Sequence, residues 1–544
     1  MALITRICSA IALLLASSAA TAMPSALGSY ARARLADAEG AGDQAVADYQ
    51  AALIGLPDDG TVAFRAYREA VDNGNKKLAI RAAQVREAAN AAPADAVLLL
   101  FSSALARGDW KASAEFLDRI EREGSFAFLV PSLRAWTDYA SGSATPLAAL
   151  DRRPWDGLSA VYVRENRVLL LLAMKRDGEA LTILRSVLGT DKSAIALRLA
   201  AAAQLAAHKR KSDALSVLDG DDQAIFAARA LINAGKPLPG AVTNAPAATA
   251  ILFEHVARDL MRDGPSPAAL TLARLASFAA PTKDSTRLVL AQALSLAGKS
   301  NAALAELSQI RDTSALAYNA KESRIAVLQR SGKFDAALVL ATELAQSGSS
   351  RDLVRLGDVH ARVAHYQEAS VAYEAAIKRL TAEGVTAPWN LWLLYGGALD
   401  AAKDWPHAKP ALLKAIELGP DQPDALNHLG FAMLERGDHV EEATRLIAKA
   451  SALRPRDAAI TDSLGWAWYK RGDMAQSINL LETAVEGDPT ISEISEHLGD
   501  AYWTAGRRID ARYSWRAALV QADGADIETR LKGKIADGLP RAVK

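Results

Sequence analysis

The chain has 544 residues, more than one compact core usually serves, so an extended or divided architecture is expected. Lysine plus arginine and aspartate plus glutamate each number 63, which argues against a nucleic-acid partner and against strong adhesion to an anionic membrane. Half of the residues are hydrophobic but only 6% are aromatic, and the frequent alanine favours helices.

The first predicted element is a cleaved signal peptide over residues 1–22. Arg6 precedes an apolar run at 7–16, too short to span a bilayer comfortably, and small residues around Ala22 suit a signal peptidase. An uncleaved N-terminal anchor is the alternative. Cys8, the single cysteine, precedes the apolar run, so a lipid anchor is not supported and the mature chain would have no thiol. We therefore expect a periplasmic protein with no transmembrane helix after the signal.

Helical hairpins are predicted from residue 23 onward. Over 23–130, glycines recur every 34 residues, and small residues recur five positions after each of them. These positions are Gly40, Gly74 and Gly108, followed by Ala45, Ala79 and Ser113. Over 131–280 the pattern fades into divergent helical repeats with longer loops, for which a linker between two arrays of hairpins is the alternative.

The clearest repeat lies in residues 281–523. The dipeptide Leu-Gly occurs at Leu429-Gly430, Leu464-Gly465 and Leu498-Gly499, at separations of 35 and 34 residues, and Tyr395-Gly396 lies a further 34 residues upstream. The one additional residue is expected in the turn after Gly430. Residues 524–544 are predicted to form a capping helix and a tail.

The recurring small residues have a physical reason. A glycine or alanine where two antiparallel helices cross lets their backbones approach, whereas a larger side chain would overpack the contact at a cost of about 1–3 kcal/mol. One hairpin cannot bury its apolar face alone, so stability would come from stacking hairpins on each other.

This pattern resembles the tetratricopeptide repeat (TPR), a helix-turn-helix unit of 34 residues with a W-x-x-L-G-x-x-Y…A-x-x-x-F…P signature. The resemblance implies an all-α fold, a right-handed TPR superhelix (α-solenoid) of about 10–12 hairpins with a divergent middle part. It also implies that one face of each first helix lines an inner, concave groove.

That face carries aromatic and polar residues in the last three full repeats. Asp462, Trp466 and Tyr469 share it at spacings of four and three residues. Large aromatic side chains are favoured anchors at protein interfaces. The alternative is that these rings pack on adjacent helices, on the C-terminal cap or on each other. The predicted partner-binding groove consists of Asn427, His428, Phe431, Asp462, Trp466, Tyr469, His497, Asp500 and Trp503.

Catalytic and metal-binding patterns are not found. His360 and His365 are five residues apart, which does not place both on one helical face, and no H-E-x-x-H, G-x-S-x-G, Walker or G-x-G-x-x-G motif occurs. We therefore expect no cofactor, no metal and no enzymatic activity, with an active site hidden in residues 131–250 as a remote alternative.

The predicted function is an exported, non-enzymatic scaffold that binds protein partners in the bacterial cell envelope. The segments "LNHLGFAML", "ITDSLGWAWYKRGD" and "EISEHLGDAYWTAGR" are similar to C-terminal repeats of envelope TPR proteins. Some of these are adaptor lipoproteins that bring a carboxyl-terminal processing protease to cell-wall hydrolases, which the resemblance implies as a role here. The alternative function is peptidoglycan or glycan binding by the groove aromatics.

Overall fold

The computed structural model describes residues 25–152, 157–190 and 195–540, and within these ranges all regular structure is helical, without strands. The predicted signal peptide, with Cys8, and residues 541–544 of the predicted tail lie outside the described residues. None of the described helices has the length and apolar character needed to cross a membrane. The chain divides into two compact units, residues 1–333 and residues 334–544.

Unit 1 contains eighteen described α-helices and a short 3-10 turn, Ala127–Leu129. Most neighbouring helices are joined by short turns. The α-helices are Ala26–Ala38, Gly42–Gly55, Gly60–Asp72, Lys76–Ala88, Ala94–Arg107, Trp110–Glu123, Val130–Ala140, Ala148–Asp151, Gly157–Ala173, Asp177–Thr190, Ile195–Ala207, Lys211–Val217, Gln223–Asn233, Ala245–Leu260, Pro267–Ala279, Asp284–Leu296, Ser300–Ser308 and Ala317–Arg330.

Unit 2 begins with a single helix, continues as five antiparallel hairpins and ends with one more helix. Its twelve described helices are Phe334–Ala345, Ser350–Arg362, Tyr366–Ala382, Trp389–Ala401, Trp405–Leu418, Pro423–Glu435, Val440–Leu453, Ala458–Lys470, Met474–Gly487, Ser492–Thr504, Arg508–Val520 and Ala525–Asp537. The two helices of each hairpin pack on each other, as the repeat pattern predicted.

A glycine at each helix crossing in unit 2 lets the two helices of the hairpin approach closely. In each hairpin a Cβ placed on the first-helix glycine would lie 2.4–2.8 Å from a side chain of the second helix, closer than real Cβ atoms approach anything. The five pairs are Gly357 with Tyr373, Gly396 with Leu412, Gly430 with Ile447, Gly465 with Leu481 and Gly499 with Trp515. The prediction that small residues stand at the crossings is confirmed.

The turn of each hairpin contains a residue in the left-handed conformation, seven positions after the crossing glycine. Gly437, Gly472 and Gly506 adopt it with φ between +66° and +86°. Ala364 and Lys403 hold the equivalent positions with φ of +58° and +66°, although they carry a Cβ. The additional residue predicted in the third hairpin is also in the turn, which runs over four residues, 436–439, instead of three.

Unit 1 departs from simple nearest-neighbour stacking. Helix Pro267–Ala279 packs on Gly60–Asp72 and on Ala94–Arg107, far away in the sequence. The guanidinium of Arg274, 6% exposed, donates from Nε to the carbonyl oxygen of Val71 at 3.1 Å. Unit 1 is therefore closed by contacts between helices separated by about 200 residues.

Candidate functional site

The nine residues of the predicted groove lie on the first helices of the last three hairpins of unit 2. Asn427, His428 and Phe431 are on Pro423–Glu435; Asp462, Trp466 and Tyr469 are on Ala458–Lys470; and His497, Asp500 and Trp503 are on Ser492–Thr504. Because the glycine crossings fix how each first helix sits on its second helix, these residues fall at equivalent positions in successive hairpins. We call this surface the first-helix face.

The centre of the first-helix face is a stacked group. The Trp466 ring stacks on Tyr469, with ring centroids 4.5 Å apart and planes 5° apart, and on His497 at 4.0 Å and 13°. The indole nitrogen of Trp466 donates to the Glu435 carboxylate at 2.6 Å. With 8% of its surface exposed, Trp466 offers little free aromatic area, whereas Tyr469 remains half-buried.

His497 links two hairpins through its imidazole. Its Nδ1 lies 3.0 Å from both carboxylate oxygens of Asp462, 35 residues earlier. Burial acts against the charged imidazole, but the Asp462 carboxylate outweighs it, with a smaller contribution from Glu493, and the pKa of His497 is raised. Both partners are less than 10% exposed, so this pair belongs to the packing between hairpins and offers little to a ligand.

The last hairpin is covered by the C-terminal helix, Ala525–Asp537. Arg530 donates to both oxygens of Glu496, at 2.9 and 2.8 Å, and Lys534 lies 2.7 Å from carboxylate oxygens of Glu496 and Asp500. Burial acts against ionisation of Glu496, but these cations lower its pKa. For Asp500 burial dominates, and its pKa is raised despite Lys534.

Trp503 lies under the same cap. Its ring is 5.4 Å from that of Trp515, and a Cβ on Gly538 would collide with it. The guanidinium groups of Arg508 and Arg512 lie over the ring at 4.8 and 5.0 Å. Trp503 is thus packed among cap and second-helix residues, which was the alternative considered for the aromatic residues.

The remaining predicted residues lie on the helix Pro423–Glu435. Asn427, His428 and Phe431 are each half-buried. The side-chain oxygen of Asn427 is shielded from solvent and has no hydrogen-bond partner among the described residues. His428 Nε2 lies 3.5 Å from an oxygen of Asp400, an ion-pair distance that is too long for a good hydrogen bond. Phe431 packs beside the cluster that contains Trp466.

A ladder of charged contacts between hairpins was missed by the sequence reasoning. Each pair joins an acidic residue of one first helix to a basic residue 34–36 residues later, in the next first helix, in the turn that follows it or in the C-terminal helix. Opposite charges separated by one repeat length were the available signal. The pairs are Asp400 with Arg436, Glu435 with Lys470, Glu496 with Arg530 and Asp500 with Lys534.

The structure brings the predicted residues together in two groups with different surroundings. Asp462, Trp466 and His497 are engaged in contacts between hairpins, and Asp500 and Trp503 pack against the last second helix and the C-terminal helix. Asn427, His428, Phe431 and Tyr469 keep accessible area on the first-helix face. Across the described part of the chain, no three His, Cys, Asp or Glu side chains are grouped so that they could hold a metal ion. The binding of a partner by these nine residues stays a prediction.

Comparison with known proteins gives one informative sequence match. No protein-family profile matches the chain. Over 115 residues it is 37% identical to the TPR repeat-containing protein PA4667 of Pseudomonas aeruginosa. The match spans 21% of this chain and 19% of that protein, so the similarity covers about a fifth of the relative's length. It supports the assignment of TPR-type repeats.

Solved structures of TPR proteins show weaker similarity. A thermophilic TPR protein of Thermus thermophilus is 19% identical over 34% of this chain and 98% of its own, with a TM-score of 0.31. A TPR protein of Parabacteroides merdae is 13% identical over 46% of this chain and 96% of its own, with a TM-score of 0.40. A chain of the APC/C hetero-tetramer Cut9–Hcn1 is 14% identical over 88% of this chain and 96% of its own, with a TM-score of 0.37. TM-scores below 0.5 add no argument about function.

Proposed function

We propose that this chain, an all-α protein built of TPR-type hairpins, is a non-enzymatic scaffold that binds a protein partner on the first-helix face of unit 2. The supporting observation is the accessible group Asn427, His428, Phe431 and Tyr469. It combines aromatic area with an amide oxygen that lacks a hydrogen-bond partner in the described structure.

Site-specific crosslinking in the producing cell tests this proposal. A photocrosslinking amino acid replaces Asn427 in one full-length variant and Leu413, an exposed second-helix residue, in a matched control. We expect a discrete protein to crosslink at position 427 and not at 413, and Asn427→Arg to abolish its copurification without lowering the melting temperature. The same products at both positions, or none, would contradict a binding face here.

The finer proposal is an adaptor role in the bacterial cell envelope, in which the partner is a carboxyl-terminal processing protease or one of its cell-wall hydrolase substrates. It rests on the resemblance of the C-terminal repeats to envelope TPR proteins. Mass spectrometry of the position-427 product decides it. A partner that is neither a protease nor a wall hydrolase would refute the adaptor role and leave the scaffold proposal standing.

Export to the periplasm is the second part of the finer proposal, and it rests on the sequence of residues 1–22. N-terminal sequencing of the protein from the periplasmic fraction is expected to begin near Met23. A chain that retains residues 1–22 and fractionates with the membrane would favour the uncleaved anchor instead.

Glycan binding is less favoured than protein binding. Sugar rings stack on free aromatic faces, but Trp466 is 8% exposed and Trp503 lies under the C-terminal helix. Sedimentation of the protein with purified cell-wall sacculi tests the alternative, with Tyr469→Ala as the informative variant because Tyr469 is more accessible than Trp466. Cosedimentation that is lost in this variant would restore the glycan alternative.

A further inference from the structure

Unit 1 contains a large cavity that the proposed function does not use. Its volume is about 1610 Å³, and all of its lining residues fall between positions 105 and 319, within unit 1. Small-molecule sites usually occupy roughly 300–1,000 Å³, so the space is sufficient for an elongated ligand. Apolar side chains form much of the wall, including Leu105, Ile195, Leu199, Ile251, Leu288 and Val289.

The polar part of the wall includes buried groups without partners. Glu254 is 0% exposed; its Oε1 accepts a hydrogen bond from Ser285 at 3.1 Å, while its Oε2 has no hydrogen-bond partner among the described residues. Within the described part of the chain, the ammonium of Lys283 and the side-chain oxygen of Asn319 are likewise shielded from solvent and without a hydrogen-bond partner. Such groups are costly to bury, so their presence in one cavity indicates a ligand that satisfies them.

The charges favour an anionic ligand. Four cationic and two acidic side chains line the cavity: Arg107, Arg258, Lys283 and Arg311, with Glu254 and Asp284. Asp284 already accepts a hydrogen bond from Ser314 at 2.6 Å. Burial raises the pKa of Glu254, which favours its neutral form, and it also lowers the pKa of Lys283, a shift that the charge of Glu254 opposes.

The number of unpaired groups favours a single polar head over a peptide. Every residue of a buried peptide brings a backbone donor and acceptor that must be paired. The described lining side chains offer three buried atoms without partners, those of Lys283, Glu254 and Asn319. The Lys283 ammonium can donate to one carboxylate head, as can the Glu254 carboxyl in its neutral form, whereas the Asn319 oxygen only accepts, and the apolar wall suits a hydrocarbon body.

We propose that this cavity binds an amphiphilic carboxylate, a single anionic head on an elongated apolar body, with Lys283 as the counter-charge of the head. The neutral Glu254 carboxyl adds a second donor to the head, and the leucine and isoleucine side chains of the wall cover the body. This inference goes beyond the scaffold function and does not depend on it.

The test is calorimetric titration of the full-length protein with decanoate below its micellar concentration. Parallel titrations use 1-decanol, which lacks the charge, and decyltrimethylammonium, which reverses it. We expect saturable one-to-one binding of decanoate and at least tenfold weaker binding of the other two probes. No saturable binding of decanoate, or equal binding of decanol, would overturn the proposal.

Two variants locate the site. Lys283→Met should weaken decanoate binding at least tenfold, and Ala247→Trp, which adds bulk at the cavity wall, should also weaken it. Lys77→Met removes an exposed lysine elsewhere in unit 1 and should change nothing. Because Lys283→Met also removes the charge that acts on the buried Glu254 carboxyl, its melting temperature is compared with that of the parent, and Ala247→Trp tests the site without altering this pair. Decanoate affinity unchanged in both cavity variants would refute the assignment.

Discussion

The crossing glycines of unit 2 set the distance between paired helices. At Gly499 an added Cβ would lie 2.4 Å from Trp515, a large and fully buried ring held by a hydrogen bond to Asp500. The ring cannot move without disturbing that bond. Gly533 is also helical, but an added Cβ there would meet nothing within 4 Å. The two positions therefore separate the effect of close packing from the effect of glycine itself.

We expect Gly499→Ala to lower the free energy of unfolding by about 1–3 kcal/mol, because the methyl group overpacks the crossing. Gly533→Ala should instead be neutral or raise it by up to about 1 kcal/mol, because alanine favours helices. Urea unfolding followed by circular dichroism measures both. Equal effects of the two substitutions would contradict the role of the crossing.

The turn residues Ala364 and Lys403 allow a second test at this scale. Both hold the left-handed conformation that glycine adopts in the other hairpins, and a Cβ there costs roughly 1–2 kcal/mol. Lys403→Gly should therefore raise the free energy of unfolding, by up to about 1 kcal/mol after the greater flexibility of the unfolded chain is counted. Gly472→Ala, at the equivalent turn with φ of +85°, should lower it. Thermal unfolding of both variants provides the comparison.

At the scale of helices, the His497–Asp462 pair joins consecutive first helices and makes stability depend on pH. A histidine whose pKa is higher in the folded protein than in the unfolded chain stabilises the fold fully at pH values below its unfolded pKa of about 6.5. This stabilisation is lost as the pH rises through the pKa in the folded protein. The charged groups that act on His497 include Asp462, Glu493 and, more weakly, Asp500, and the charge of His497 in turn acts on Glu435.

The advantage of the parent over His497→Gln in free energy of unfolding should therefore be greatest near pH 5.5 and shrink toward pH 9. Urea unfolding across this range measures it. Asp462→Asn is the matched variant, since it removes the acidic partner and should flatten the dependence. An advantage that grows with pH would show that the pair does not hold His497 in its charged form.

The C-terminal helix completes the last hairpin through cations. Among the described residues, Lys534→Met would leave the Asp500 carboxylate, which is 6% exposed, with the indole hydrogen bond from Trp515 alone. Removing one partner of a buried ion pair typically costs about 3–5 kcal/mol. We expect a lower melting temperature together with a red shift of tryptophan fluorescence, as the cap loosens from Trp503. Lys532→Met, which alters an exposed pair with Glu528 on the same helix, serves as the control.

The sequence predicted the parts of unit 2 that repeat. Gly465 and Gly499 identified the crossings, and the additional residue after Gly430 was correctly assigned to its turn. The surroundings of Trp466 and Trp503 were not predictable in the same way. Trp466 bonds to Glu435 of the preceding hairpin, and Trp503 packs with residues of the C-terminal helix. Neither partner belongs to the pattern within one hairpin. The repeat spacing in the sequence predicts the helices and turns of each hairpin, but it does not predict which polar groups pair between neighbouring hairpins.

At the scale of the molecule, the two units are built differently. Unit 2 consists of hairpins that contact mainly their neighbours, whereas unit 1 is closed by contacts across about 200 residues. Alanine-rich helices gave no indication of this closure, because Arg274 bonds to backbone carbonyls that every residue possesses. The cavity of unit 1 was not predicted either, because its lining residues come from segments spread between positions 105 and 319.

Arg274→Met should therefore weaken the packing of helix Pro267–Ala279 on helix Gly60–Asp72. Hydrogen exchange should become faster in Gly60–Asp72 and in Pro267–Ala279, because the buried guanidinium no longer joins them. The free energy of unfolding of unit 1 should fall by about 2–4 kcal/mol, as expected when several buried hydrogen bonds are lost. Arg164→Met, on an exposed helix position of unit 1, is the control. Faster exchange confined to Pro267–Ala279 would contradict closure.

The link from Lys76 Nζ to the carbonyl oxygen of Phe278 spans 202 residues of chain. At synthesis rates of roughly 5–20 residues per second, the surface that helix Gly60–Asp72 needs as a partner emerges from the ribosome about 10–40 s after the helix itself. During that interval the early hairpins have nothing to close against. A nascent chain stalled before residue 267 should therefore be protease-sensitive in its first hairpins, and one stalled well beyond 333 should be resistant there.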